Sequence, residues 1–221
     1  MLTAAAARLG HCLQAHCYDG WVSGSRIQLP RELRTAFLDR DGVLNEKMPE
    51  GQYVARWEEF RVLPGVPEAI ARLNGAGVRV LVVSNQRGIA KGLYTIDDLE
   101  AIHGRFQQLL QSRGARVDGF FSCPHDSGQC DCRKPLTGLY DQARARFPEI
   151  AAETSVMIGD TLGDMEFGRR IGMAALFIEV DPARQRSGAA PAREIAAACF
   201  QSLSEAVEAL LANCRTAALQ G

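Results

Sequence analysis

The sequence predicts an α/β protein: a doubly wound, Rossmann-like parallel sheet flanked by helices. Two patterns carry that prediction. Short apolar runs recur without polar alternation, as in parallel strands covered on both faces. Between them lie stretches whose apolar residues repeat at helical spacing. The βαβα order implies right-handed crossovers and one sheet. At 221 residues the chain is long enough for one well-buried domain, or a domain plus a tail.

The first strand is read at 35–39. A helix follows over 64–76, with Val66, Ala69, Ile70 and Leu73 on one face and Asn74-Gly75-Ala76-Gly77 ending it. Residues 78–83 are the second strand. Thr95 caps a helix whose stripe is Leu99, Ile102, Phe106, Leu109 and Leu110, ending near Gly114. His103 lies near that stripe and reads as a core residue. Strands recur at 117–122, 155–159 and 174–180, with helices at 136–147 and 162–171 between them. Ser202-Leu203-Ser204-Glu205 resembles a capping box that opens a final helix carrying Leu203, Val207, Leu210 and Leu211.

Residues 34–215 therefore read as one domain, with 216–221 as a tail. Residues 1–33 are Ala-rich and lead through Pro30 into the first strand; they read as a poorly structured extension. Gly10-His11 interrupts their apolar run, which makes a poor secretory signal. The Ala/Pro-rich stretch 182–197 suggests no role.

Lys and Arg number 25 against 26 Asp and Glu, a net charge of −1. That leaves no electrostatic footprint for nucleic acid or anionic membrane, and no apolar run approaches the ~20 residues of a spanning helix. The expectation is a soluble monomer acting on a small molecule, with no nucleic-acid and no membrane partner. Seven cysteines, three of them between positions 123 and 132, look like reduced thiols plus a metal cluster, which places the protein in the cytoplasm.

The chemistry sits where strands end. Phe37-Leu38-Asp39-Arg40-Asp41-Gly42 is an apolar strand ending in two carboxylates and a glycine. At the carboxyl end of a strand both acids can converge on the crevice where open α/β sheets bind ligands, and they repel unless a cation or proton is shared. The second strand ends in Ser84-Asn85-Gln86-Arg87-Gly88, donors suited to a phosphate. Arg133-Lys134-Pro135 sets two cations before a helix, and Gly159-Asp160-Thr161-Leu162-Gly163-Asp164 closes another strand in acids. Each has a bland alternative as a turn, a solvated loop or a helix start. Together, acids beside cations suggest an anionic substrate with Mg²⁺. Cys123-Pro124-His125 followed by Cys130-Asp131-Cys132 supplies three thiolates and an imidazole, a closed tetrahedral set for structural Zn²⁺. Cys12, Cys17, Cys199 and Cys214 lack such spacing.

With these motifs in order, the chain resembles the haloacid dehalogenase superfamily of aspartyl-phosphate phosphatases over roughly residues 35–180. The resemblance implies that Asp39 attacks phosphorus and Asp41 protonates the leaving oxygen, then deprotonates water. It implies that Mg²⁺ is held by Asp39, Asp160 and the main-chain carbonyl of Asp41, with Asp164 supporting its water shell. Ser84 would hydrogen-bond the phosphoryl group and Lys134 would neutralise it. The loop Cys-x-His…Cys-x-Cys-Arg-Lys-Pro is similar to that of heptose bisphosphate phosphatases, which remove the 7-phosphate of glycero-manno-heptose 1,7-bisphosphate. Histidinol-phosphate phosphatases share it, but the run from Asn85 to Gly92 and the pair Asn45-Glu46 resemble the heptose enzymes more closely.

Two residues depart from that pattern: Arg87 where a Ser is usual, and Thr161 where many heptose enzymes carry a cation. Both positions are expected near the substrate phosphate, together with Asn85, Gln86 and Arg133. The segment 47–60 is too short for a cap domain and reads as a flap whose Lys47, Tyr53 and Arg56 cover a small sugar. Polynucleotide 3′-phosphatases are a related branch, disfavoured here because a basic stripe and stacking aromatics are missing. A non-catalytic scaffold is disfavoured because Asp39, Asp41 and Asp160 are all present.

Overall fold

The computed structural model describes residues 28–179 and 188–218. Six strands form one sheet: β1 (Thr35–Leu38), β2 (Arg79–Asn85), β3 (Gly119–Cys123), β4 (Ser155–Gly159), β5 (Ala174–Ile178) and β6 (Ala198–Phe200). Their order is β3-β2-β1-β4-β5-β6, and every pair is parallel. Helices fill the crossovers: α1 (Val66–Gly75), α2 (Arg87–Ala90), α3 (Ile96–Gln111), α4 (Gly138–Arg146), α5 (Leu162–Ile171) and α6 (Ala189–Ile195), with α7 (Leu203–Ala218) closing the described chain.

Alternation along each strand divides the core in two. Leu38, Val80, Val82 and Ile158 pack with Ile70 and Leu73 of α1, Phe106 and Leu110 of α3, and Val207 and Leu210 of α7. Phe37, Leu81, Val83 and Met157 pack on the opposite face with Leu139 of α4, Met165 and Phe167 of α5, and Ala192 of α6. Burial on both faces is why these strands read as continuous apolar runs. Thr95 caps α3 as expected: its hydroxyl accepts from the Asp98 N–H at 3.1 Å, and the Asp98 carboxylate accepts the Thr95 N–H at 2.8 Å.

Several expectations shift. The Ser202 hydroxyl accepts the Glu205 N–H at 3.2 Å, but the Glu205 carboxylate takes the Gln201 N–H instead of that of Ser202. The last helix runs on to Ala218, so 216–218 are helical and not tail. Leu29 and Leu33, assigned to the loose extension, pack on the core, and the Pro30 carbonyl accepts from Asn213 at 3.0 Å. Residues 1–27, with Cys12 and Cys17, lie outside the described residues, as does Val180 at the end of the strand expected over 174–180. Helix α6 and strand β6 went unread because one lacks an apolar stripe and the other has three residues. Between β1 and α1, the flap segment carries only a 3₁₀ turn, Trp57–Glu59, and no cap domain. Among the described residues no helix is long and apolar enough to cross a membrane.

His103 is core, as its position in the stripe implies: it is buried and stacked on Phe120 at 4.3 Å. Burial, reinforced by the nearby Arg40 charge, lowers its pKa to about 3. Its folded pKa lies below the unfolded value of about 6.5, so the unfolded chain takes the proton first. The stability this contributes is complete above about pH 6.5 and is lost as pH falls toward 3. Urea unfolding across that window should show His103→Phe losing less stability on acidification than the wild type, by up to about 1.4 kcal/mol per pH unit.

Candidate active site

The strand order reverses between β1 and β4, which lie side by side while their crossovers lead to opposite edges. A crevice opens at their carboxyl ends. Asp39 follows β1, its N–H bonded to the Ile158 carbonyl at 2.9 Å, and Asp160 follows β4. Gly42 turns the chain between them with φ +96°, and a Cβ there would collide with the Asp160 carboxylate. Only glycine meets both demands.

Lys134 organises the acids. Its buried ammonium donates to Asp39 Oδ1 at 2.8 Å and to the Val83 carbonyl at 2.6 Å, and lies 2.6 Å from Asp164 Oδ1. The main chain at Lys134 is itself held by Asn85, whose Nδ2 donates to the Lys134 carbonyl at 2.9 Å and whose Oδ1 accepts the Lys134 N–H at 3.0 Å. Asp160 forms a buried ion pair with Lys47 from the flap. Carboxylate oxygens of Asp39, Asp160 and Asp164 all lie within 4.8 Å of one another.

Burial pushes the Asp39 pKa up against the opposing charge of Lys134, and lifts Asp160 to about 7 despite Lys47. Burial works against the Lys134 ammonium, but Asp164 and Asp39 outweigh it and hold the pKa above the ordinary lysine value. Crowded carboxylates whose protonated forms are favoured by burial are the donor set that a hard divalent cation suits.

Asp41 is held apart from this group. Arg40 Nη2 donates to both its oxygens at 2.9–3.0 Å, Asn45 Nδ2 at 2.9 Å and Gln86 Nε2 at 3.3 Å. Burial raises its pKa, but the Arg40 charge and these hydrogen bonds overcome that and bring it below the usual carboxylate range. Gln86 also donates to the Ser84 hydroxyl and accepts from Tyr94 Oη at 2.6 Å.

Several residues expected to meet substrate are engaged elsewhere. Gln86 is buried between Ser84, Asp41 and Tyr94, a bracing position. Thr161 lines the crevice, but its hydroxyl caps α5: it donates to Asp164 Oδ2 at 2.5 Å and accepts the Asp164 N–H at 3.3 Å. Arg87 grips Asp126 of the cysteine loop with two nitrogens, at 2.5 and 3.1 Å. Arg56 pairs with Glu59 on the exposed side of the flap. Arg87 and Asn85 nonetheless line the crevice with the acids, as do Arg133, Tyr53, Lys47 and Lys91. Arg40, Asn45 and Tyr94 were given no role in the sequence reading. The signals were an arginine between two motif acids and an asparagine four residues after Asp41.

The cysteine loop closes on itself beside the crevice. Cys123 Sγ lies 3.5 Å from Cys130 Sγ and 3.8 Å from His125 Nδ1, which lies 3.4 Å from Cys132 Sγ. Four ligands about 2.3 Å from one ion at tetrahedral angles sit about 3.8 Å apart, so the donor set fits zinc. Burial and the neighbouring sulfurs push the Cys132 thiol well up. Cys130 goes the other way: against burial, hydrogen bonds from Cys132 and Cys123 bring its thiol down to about 7.

Residues 35–185 match the family described as polynucleotide kinase 3 phosphatase. The chain belongs to that phosphatase family. Within it, the chain is 38% identical over 170 residues to the D-glycero-alpha-D-manno-heptose-1,7-bisphosphate 7-phosphatase of Mycobacterium tuberculosis (strain ATCC 25618 / H37Rv), covering 76% of this chain and 87% of the relative. It is 36% identical over 184 residues to the beta-anomer enzyme of Bordetella bronchiseptica, covering 79% of this chain and all of the relative. The crystal structure of the B. bronchiseptica D,D-heptose 1,7-bisphosphate phosphatase, complexed with magnesium and phosphate, superposes with a TM-score of 0.69 at 31% identity, covering 81% of this chain and 99% of that one. The phosphatase family shares the doubly wound sheet expected from the strand pattern.

The Asn85 clamp yields a direct test. Asn85→Ala leaves the Lys134 N–H and carbonyl without their partner, and should cost about 1–3 kcal/mol of stability in urea unfolding. Asn85→Asp, which can still accept but not donate, should fall between.

Proposed function

We propose that the protein is a Mg²⁺-dependent phosphomonoester hydrolase that works through an aspartyl-phosphate on Asp39, and that its substrate is D-glycero-D-manno-heptose 1,7-bisphosphate, cleaved at the 7-phosphate. The observation that carries the chemistry is the Lys134 ammonium bonded to Asp39 within a ring of three carboxylates. The substrate follows from relatives of both anomeric specificities that match most of the chain. The description of the family model points to 3′-phosphorylated polynucleotides, but its match falls on the phosphatase core that both activities use. We also infer that residues 28–218 act as one domain, monomeric and cytoplasmic, without a nucleic-acid or membrane partner.

Asp39, Asp160 and the Asp41 carbonyl would hold Mg²⁺, with Asp164 behind them; the ion supplies positive charge beside the phosphoryl oxygens. Lys134, bonded to Asp39 and Asp164, adds its own positive charge, so that a carboxylate can approach a phosphate dianion. Asp39 attacks phosphorus, the bond from phosphorus to the sugar oxygen breaks, and Asp41 gives its proton to that oxygen. Asp41 rests as a carboxylate under the hold of Arg40; the incoming negative charge raises its pKa, so that it takes a proton from solvent as substrate binds and passes that proton to the leaving oxygen. It then removes a proton from water, which attacks the phosphorus and frees Asp39 with release of phosphate. Arg133 and Lys91, which line the crevice, would receive the second phosphate of a bisphosphate. Zn²⁺ on Cys123, His125, Cys130 and Cys132 has no open ligand position; it would fix the loop that delivers Arg133 and Lys134.

Phosphate release should be measured with Mg²⁺ from both heptose bisphosphate anomers, histidinol phosphate and a 3′-phosphorylated oligonucleotide. The reading expects fast release from a heptose anomer, abolished in Asp39→Asn. Preference for the oligonucleotide or histidinol phosphate would overturn the substrate; activity surviving in Asp39→Asn would overturn the nucleophile. Metal analysis should find one zinc per chain, and Cys130→Ser should lose that zinc and melt at lower temperature.

A further inference from the structure

We propose that Lys47 is a positioning residue that serves as the internal counter-cation of Asp160, is displaced when the divalent cation binds, and then offers its ammonium to the phosphoryl group. Lys47 would thereby link metal loading to the flap. The inference rests on the reading of Asp160 as a metal ligand.

Three observations lead to it. The Lys47 ammonium is buried and paired with a carboxylate that is 0% exposed, reaching from the flap to the end of β4. That carboxylate belongs to the acid cluster suited to a divalent cation, so ammonium and metal compete for one group. Lys134 already answers Asp39 and Asp164, which leaves Asp160 to Lys47. Lys47 also has somewhere to go. It lines both the crevice and an adjoining cavity of about 320 Å³ bounded by Gly42, Val43, Leu63 and Ile178.

Two cations beside one carboxylate repel, so a bound metal weakens the hold of Asp160 on Lys47. A phosphate dianion in the crevice gives the released ammonium a new partner. In the absence of phosphate Lys47 therefore opposes metal binding; in its presence Lys47 supports it. That sign change separates the role from a merely structural one. Thr161, engaged in the α5 cap, supplies no cation at this point, and Lys47 is the flap residue that does.

The test is Mg²⁺ titration by calorimetry on full-length wild type, Lys47→Met, Lys47→Gln and Lys47→Arg, with and without inorganic phosphate. The metal-free proteins are first melted to establish folding. Without phosphate, the two neutral variants should bind Mg²⁺ about tenfold more tightly, within the usual range of coupling between linked sites, while Lys47→Arg stays near wild type. Phosphate should tighten Mg²⁺ binding in wild type and markedly less in the neutral variants. Equal or weaker Mg²⁺ binding in both neutral variants, or an unchanged phosphate effect, would overturn the proposal. Asp160→Asn separates the two readings. If it binds Mg²⁺ as well as wild type, the metal assignment itself fails; if it loses Mg²⁺ while the Lys47 variants match wild type, only the Lys47 role fails.

Discussion

The contact between Lys134 and Asp39 constrains everything around it. Burying charges is costly unless each is paired and hydrogen-bonded, and here the acids come from strand ends that the fold forces together. Asp39 and Asp160 stand where they do because β1 and β4 pair in parallel at the point where the sheet order reverses. The lysine that answers Asp39 and Asp164 cannot come from those strands. It comes from the loop after β3, and its reach is fixed at both ends: by the Val83 carbonyl at the ammonium and by Asn85 along the main chain. Loss of the Asn85 hold would leave main-chain polar groups of Lys134 without their partners, while loss of Lys134 itself would leave Asp39 and Asp164 buried without their cation.

The same constraint explains the placement of residues that brace the acids and the loop. Arg40, buried beneath Asp41 with its guanidinium 5.8 Å from the Phe60 ring, keeps the second acid ionised and turned from the first. Gln86 ties that acid to Ser84 and Tyr94. The cysteine loop is anchored twice, through the sulfur and imidazole cluster and through Arg87 on Asp126, so the segment bearing Arg133 and Lys134 is steadied from both sides. Arg87, a departure when judged by sequence pattern, pairs with Asp126 of the loop while lining the crevice.

Much of this was legible in the residues, and the reason is physical. Strands such as 155–159 and the helix at 162–171 emerge at their expected bounds because both are covered by core and carry unbroken apolar patterns. The acids, Lys134 and the cysteine set were legible because their chemistry tolerates few alternatives. What stayed hidden was direction. A sequence shows that Asn85, Gln86, Thr161 and Lys47 are polar and near a site; it does not show whether a side chain turns inward to brace a neighbour or outward to solvent. Thr161 immediately before a helix could have been read as a cap, since Asp164 stands at the capping-box position. Lys47 offered no such clue, because its partner is far away in the chain.

Charge balance then suggests how the site chooses its substrate. Its four carboxylates, Asp39, Asp41, Asp160 and Asp164, are answered by the cations Arg40, Lys47 and Lys134, so the resting interior is close to neutral. A near-neutral interior is tolerable inside a fold; a strongly charged one is not. Four carboxylates against three cations leave about one negative charge; a divalent cation carries that to about +1, and a dianion returns it to about −1. Neither metal nor phosphate alone completes the balance, so each favours the other. A phosphate dianion paired with a divalent cation thus leaves the interior charge where it began, and the cations Arg133 and Lys91 line the same crevice.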